Sequence, residues 1–213
     1  MNSDVNQMKS KTHWDEVYAT KAVDTVSWFE THASDSQRFL QKTGVDLTAA
    51  IIDIGGGAST LVDDLLAQGY QNVTVLDIAE QALLASKTRL GARAIQVSWL
   101  VCDITKAEFG KHNIDVWHDR AVFHFLTSAN DRKAYINNLL HALKPNGHAI
   151  IATFAEDGPL KCSGLEIVRY SASSLQAELG ESFALMASEK VSHHTPGGNV
   201  QQFNYCYFRK LIK

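Results

Sequence analysis

The spacing of apolar and polar residues divides the 213-residue chain into an amino-terminal stretch with helical spacing and a longer region where short apolar runs alternate with amphipathic segments. Trp14, Val17 and Tyr18 recur at helical intervals, and Thr12 with Asp15 suits a capping pair opening a short helix. A second helix is expected over Asp35 to Thr43, stopped by Gly44. Ala49 to Ile54 is a short apolar run ending in Gly55-Gly56-Gly57, which reads as a buried strand and a turn. Ser59 is placed to cap a helix whose Leu61, Val62, Leu65 and Leu66 face inward and which Gly69 ends. Val73 to Leu76 reads as a second strand, followed by Asp77 and a helix from about Ala79 to Leu90. Gln96 to Val101 and Ile114 to Trp117 read as the third and fourth strands. Ser128 to Leu143 carries the clearest helical stripe, Ile136, Leu139, Leu140 and Leu143, with Ser128 and Asp131 as a capping box. Lys144-Pro-Asn-Gly147 should stop it, and His148 to Phe154 follows as a fifth strand. After a helix near Ser173 to Leu179, two strands turn around Pro196-Gly-Gly-Asn199. In the last of them Phe203, Tyr205 and Tyr207 alternate as a half-buried strand requires.

Alternating strands and helices imply an α/β fold, a parallel sheet covered on both faces and joined by right-handed crossovers. The turn-linked final pair must be antiparallel. The expectation is a doubly wound, mostly parallel seven-stranded sheet with an antiparallel carboxy-terminal strand. A formal charge of -3, spread over mixed acidic and basic residues, offers no basic stripe for nucleic acid. The three cysteines, Cys102, Cys162 and Cys206, are too few and too scattered for a disulfide framework or a cysteine-rich zinc site. Met1 to Lys11 is polar, unlike a signal peptide, and no apolar run approaches the ~20 residues that span a bilayer. A cytoplasmic location is therefore expected, with no membrane partner; the oligomeric state is not legible.

In a doubly wound sheet, ligands bind beyond the carboxyl ends of the strands. Here three successive strands end in Asp53 with Gly55, Gly56 and Gly57, in Asp77, and in Asp103. Glycines let the backbone turn and approach a ligand closely. Asp77 is placed to accept from ribose hydroxyls, and Asp103 from an adenine amino group, with Ile78 or Ile104 packed on the ring. Each acid alone has an ordinary structural reading as a cap or turn residue. Together they describe a nucleoside site.

The ordered set Ile51-Ile-Asp-Ile-Gly-Gly-Gly-Ala58, Val75-Leu-Asp-Ile78, Val101-Cys-Asp-Ile104 and Leu143-Lys-Pro-Asn-Gly147 resembles the class I S-adenosylmethionine-dependent methyltransferases, over roughly Trp14 to Phe208. The resemblance implies a Rossmann-like fold and S-adenosyl-L-methionine as cofactor. It implies that Asp53, Gly55 and Gly57 shape the methionine end, that Asp77 meets the ribose and that Asp103 meets the adenine. Gly56 departs from the cysteine or bulkier residue of many members, with little consequence expected. A nicotinamide-dependent dehydrogenase would want glycine where Thr60 stands and an uninterrupted apolar strand where Asp53 stands. A non-catalytic cofactor-binding module is the other alternative.

The family places acceptor chemistry after the fourth strand, here Val116-Trp-His-Asp-Arg-Ala-Val-Phe-His-Phe125. His118, Asp119 and Arg120 are the leading candidates, then His124. Asp119 or His118 could take a proton from a hydroxyl or amine, and Arg120 could orient a carboxylate substrate or fix Asp119. The competing reading is that Asp119 and Arg120 brace the loop. No metal is expected, because these residues lack ligand spacing. Trp14, Tyr18, Trp28 and Phe29 precede the sheet and could cover the cofactor, making residues 1–44 a helical lid on a donor-binding domain of residues 45–213. Trp14-Asp-Glu-Val-Tyr18 and Ser27-Trp-Phe29 look like the lid of a subgroup that contains protein-lysine methyltransferases. Asp119-Arg120 also resembles a step in thiopurine methyltransferases. The NPPY-like run of base-modifying members is absent, so the acceptor is expected to be a small molecule or a protein side chain. Lesser candidates for its pocket are His194, Thr195 and the Cys162-Ser163-Gly164 loop.

Overall fold

The computed structural model describes residues 2–212, with side chains from residue 11 onward. Helices α1 (Asn2–Thr20) and α2 (Ser34–Gln41) precede the sheet. The chain then runs β1 (Ala50–Ile54), α3 (Leu61–Gln68), β2 (Asn72–Asp77), α4 (Glu80–Leu90), β3 (Val97–Val101) and β4 (Ile114–Arg120). It continues through α5 (Ala129–Ala142), β5 (Leu143–Phe154), a small hairpin β6 (Lys161–Cys162) and β7 (Leu165–Glu166), α6 (Ala172–Leu179), β8 (Phe183–His194) and β9 (Val200–Lys210). Seven strands form one sheet in the order β3-β2-β1-β4-β5-β9-β8. Only β9 runs against the others, pairing antiparallel with β5 and β8. This is the doubly wound sheet that the alternation of elements implied.

Strand alternation sorts side chains between two cores. Ile51, Val75, Val116, Ile150 and Tyr205 pack on one face under α2, α3 and α4, with Phe39, Leu61, Leu65 and Leu83. Ile52, Ile54, Leu76, Trp117, Ile151 and Cys206 pack on the other, under α5 and α6, with Tyr135, Leu139 and Leu175. Because the chain leaves β1 outward through β2 and β3 and returns at β4, a crevice opens over the carboxyl ends of β1 and β4.

Several local expectations give way. The first helix starts at Asn2, so Thr12 and Asp15 do not cap it; Asp15 instead pairs with Lys11 one turn back, at 2.6 Å. Ser128 caps α5 by accepting from the Asn130 amide, without Asp131. Helix α5 already ends at Ala142, and 143–147 form the irregular start of β5 rather than a separate stop. Strand β4 does not end at Trp117 but runs on to Arg120. Its polar residues fit inside because each has a buried partner.

Among the described residues no helix is long and apolar enough to cross a membrane.

Candidate active site

A cavity of about 480 Å³ lies over the carboxyl ends of β1 to β4, within the usual range for small-molecule sites. Gly55, Asp77, Ile78, Asp103, Ile104, Trp14 and Trp28, candidates from the sequence for the cofactor, all line it. Asp53 and Gly56 line an adjoining recess with Gly55, His118 and Arg120.

The turn after β1 is built tightly. Gly55 has φ +65°, and a Cβ there would collide with Val122. Gly56 donates to the Leu76 carbonyl at 3.1 Å, and Ser86 Oγ donates to the Gly57 carbonyl at 2.6 Å. The expectation that Gly56 is inconsequential is corrected: a Cβ there would run into the Asp53 carboxylate and Val75 Cγ1. The recess beside Gly56 is where the Asp53 side chain sits.

The three carboxylates differ in what they leave available. Asp77 Oδ1 accepts from the Ala79 amide at 2.8 Å, while Oδ2 faces Gly57. Burial raises its pKa to about 7, with the Asp53 charge adding to the effect. Asp103 Oδ1 accepts from the Thr105 amide and hydroxyl, both at 2.8 Å. Asp53 Oδ1 is bonded to His118, but its Oδ2 is buried with no hydrogen-bond partner among the described residues.

The four residues proposed for acceptor chemistry are redistributed. His118 and Asp119 are consecutive on β4, so they point to opposite faces of the sheet. His118 is buried on the α2 side, its Nδ1 2.7 Å from Asp53 Oδ1 and its Nε2 2.9 Å from Ser36 Oγ. Asp119 is enclosed on the α5 side and accepts from the Tyr135 hydroxyl at 2.6 Å and the Val122 and Phe123 amides at 2.8 and 3.1 Å. Burial lifts its pKa to about 6 even against those donors. It braces the loop after β4 and does not reach the cavity. His124 is also walled in, its Nδ1 accepting from the Phe154 amide at 3.3 Å, and burial drives its pKa down to about 3. A neutral, enclosed imidazole has no route to an acceptor proton.

Arg120 does line the cavity, but its guanidinium is committed. It donates to Tyr205 Oη at 3.1 Å, to the Trp28 carbonyl at 3.0 Å and to Glu30 Oε1 at 3.1 Å, and lies over the Phe203 ring. Glu30 also meets His193 Nδ1 at 3.1 Å, and Thr60 Oγ1 donates to its backbone carbonyl at 3.0 Å. Burial alone would raise the Glu30 pKa, yet the His193 hydrogen bond and the Arg120 charge bring it below the ordinary value. This latch holds Trp28 over the cavity. There Trp28 meets Trp14 edge-on with ring centres 5.5 Å apart, and Trp14 meets Phe125 at 5.2 Å.

The remaining cavity wall was only partly anticipated. Cys162, one of the lesser candidates, lines it beside Leu165 and Glu166 of the β6–β7 hairpin, with burial lifting its thiol pKa to about 12. His194 and Thr195 lie elsewhere. Phe125, Asp131, Gln201 and Phe203 also line the cavity and were not singled out as site residues. Phe203 carried a signal in the alternation of the last strand, and Phe125 in closing the stretch after the fourth strand. Among the described residues no group of three histidines, cysteines or acids could hold a metal ion.

Residues 51–147 match the family model of a methyltransferase domain. The chain is 25% identical to human EEF1A lysine methyltransferase 2 over 158 residues, covering 68% of this chain and 67% of that protein. It is 27% identical to mouse N-terminal Xaa-Pro-Lys N-methyltransferase 1 over 185 residues, 76% of this chain and 79% of that one. Its fold is similar to that of Burkholderia thailandensis 1,6-didemethyltoxoflavin-N1-methyltransferase, solved with S-adenosylhomocysteine bound: the TM-score is 0.70 at 20% identity, covering 99% of this chain and 87% of that one. The motif order and the sheet agree with these likenesses: residues 51–147 form a methyltransferase domain, and the fold is that of S-adenosylmethionine-dependent methyltransferases of known structure.

Proposed function

We propose that the enzyme methylates an amine, carried by a small molecule or a protein chain, with donor and acceptor meeting in the cavity beneath Trp14 and Trp28. The residues fit the donor: Asp53 Oδ2, unpartnered among the described residues, and the Asp77 carboxylate both have room for hydrogen-bond donors, which an ammonium group and ribose hydroxyls bring. On this reading Asp77 holds the ribose, Asp103 with Ile78 and Ile104 holds the adenine, and Gly55, Gly56, Gly57 and Asp53 form the methionine end. When bound, S-adenosyl-L-methionine supplies a methyl group already activated by its sulfonium charge. The chain then has to align the acceptor in line, exclude water and take up a proton. Trp14, Trp28 and Phe125 exclude water, and residues 1–44 act as the lid.

One observation carries the acceptor class. Among the described lining residues Arg120 has the only permanent positive charge, and its donors are held by Tyr205, Trp28 and Glu30, whereas Asp131 presents a carboxylate beside aromatic walls and Glu166 adds one paired with Lys161. Such a wall attracts a cationic amine and repels a carboxylate. Two of the relatives are named for lysine and amino-terminal methylation, which agrees. Asp131, rather than His118 or Asp119, is the group available for the amine proton, since Glu166 is paired with Lys161 at 2.8 Å. The three free thiols suit a reducing cytoplasm. The test is transfer of labelled methyl in fractionated lysate. An alkali-stable product is expected; a label released by mild alkali would identify a carboxyl ester and overturn the amine assignment.

A further inference from the structure

His118 and Asp53 occupy paired positions in the register of β4 and β1. A charge-bearing pair inside a parallel sheet is costly unless every group is satisfied, so the bonding around it is informative. Arg120 Nε donates to Tyr205 Oη at 3.1 Å, leaving the Tyr205 hydroxyl hydrogen for Ser36 Oγ at 3.4 Å. Ser36 can then donate to His118 Nε2 at 2.9 Å, and His118 Nδ1 donates to Asp53 Oδ1 at 2.7 Å. Every hydrogen runs in one direction, and the arrangement needs only a neutral imidazole protonated on Nδ1. The series starts at the guanidinium that grips Trp28 and Glu30 and finishes on a carboxylate with one buried oxygen left over.

That leftover oxygen is not accidental. Gly56 vacates the space beside Asp53 Oδ2, where any Cβ would collide with it. His118 fixes one oxygen and Gly56 admits the other to the recess lined by Gly55, Gly56 and Arg120.

We propose that His118 is a positioning residue for the amino-acid end of the donor: it holds the Asp53 carboxylate so that Oδ2 receives the donor's α-ammonium group, and through Ser36, Tyr205 and Arg120 it registers that end of the site with the Trp28 lid. The proposal rests on the donor placement given above. It assigns His118 no contact with the acceptor and no proton transfer.

The geometry dictates the test, because an asparagine amide reaches about as far as His118 Nδ1 and a glutamine amide about as far as Nε2. Calorimetric titrations would compare wild type with His118→Asn, His118→Gln and His118→Leu, using S-adenosylhomocysteine and 5′-methylthioadenosine, which lacks the amino-acid end. His118→Leu and His118→Gln are expected to weaken S-adenosylhomocysteine binding by about 10- to 100-fold, the range of a charge-assisted hydrogen bond. His118→Asn should recover most of that loss. Binding of 5′-methylthioadenosine should change little in any variant, which also shows that each variant is folded. Equal losses for both ligands, or equal behaviour of the Asn and Gln variants, would overturn the proposal. Wild type that bound neither nucleoside would instead remove the donor placement itself.

Discussion

The ends of β1 to β3 and the end of β4 both gather polar residues at one rim of the same sheet, yet they are finished differently. At the first rim the polar atoms are incompletely bonded: among the described residues Asp53 Oδ2 has no partner, and burial raises the Asp77 pKa to about 7. At the second, Asp119 accepts three hydrogen bonds and Arg120 donates three, with only the walled-in His124 Nε2 lacking a partner among the described residues of that stretch. Unused bonding capacity next to a cavity marks where a ligand completes the protein. Saturated polar groups mark where the protein completes itself.

The strongest way to break this distinction is Asp119→Ala. It would strand the Tyr135 hydroxyl and two backbone amides, at a cost of about 3 kcal/mol and a melting temperature lower by about 6–12 °C. Thermal melts should show that loss, while calorimetry should show S-adenosylhomocysteine affinity nearly unchanged. Weak binding with normal stability would put Asp119 in the ligand site after all.

Asp77→Ala should do the reverse. Its expected effect is a loss of roughly 30-fold in S-adenosylhomocysteine affinity, about 2 kcal/mol. The fold should not suffer. Burial raises the folded-state pKa of Asp77 from 3.8 to about 7, so the folded chain favours the protonated acid and the unliganded protein loses stability as pH rises through about 7. At pH 8 the alanine variant should therefore melt at or above the wild-type temperature. A lower melting temperature there would assign Asp77 to structure.

The smallest effect comes from pH alone. Ribose hydroxyls require the ionised Asp77, so S-adenosylhomocysteine affinity should fall about tenfold between pH 8 and pH 6. Asp77→Asn should flatten that profile. A wild-type profile flat over this range would show that Asp77 does not meet the ligand.

The sheet and its order were legible because apolar runs and helical stripes report burial directly. Several residues that line the cavity over the strand ends were legible too, since glycine and aspartate at strand ends have few other uses in combination. The stretch after Trp117 was not. Hydropathy reads His118, Asp119 and Arg120 as one exposed cluster, but a strand with period two sends them to alternate faces, and the partners that accept them, Ser36, Tyr135 and Tyr205, come from distant segments. The capping residues misread at Thr12 and Asp131 show the same limit: the first helix already begins at Asn2, and Ser128 caps α5 through the Asn130 amide alone. The β6–β7 hairpin, with Ser163 at φ +50° and Gly164 at φ +80°, pairs so few residues that no periodicity announces it.

Of the four tryptophans, Trp14 and Trp28 line the cavity, whereas Trp117 is buried against Tyr135 and Trp99 binds the Ala94 carbonyl on β3. The protein thus carries its own optical indicator. An occupant entering beneath the paired indoles changes their surroundings and leaves the other two untouched, so a titration followed by intrinsic fluorescence, with Trp14→Phe/Trp28→Phe as the silenced control, reads occupancy without any attached dye.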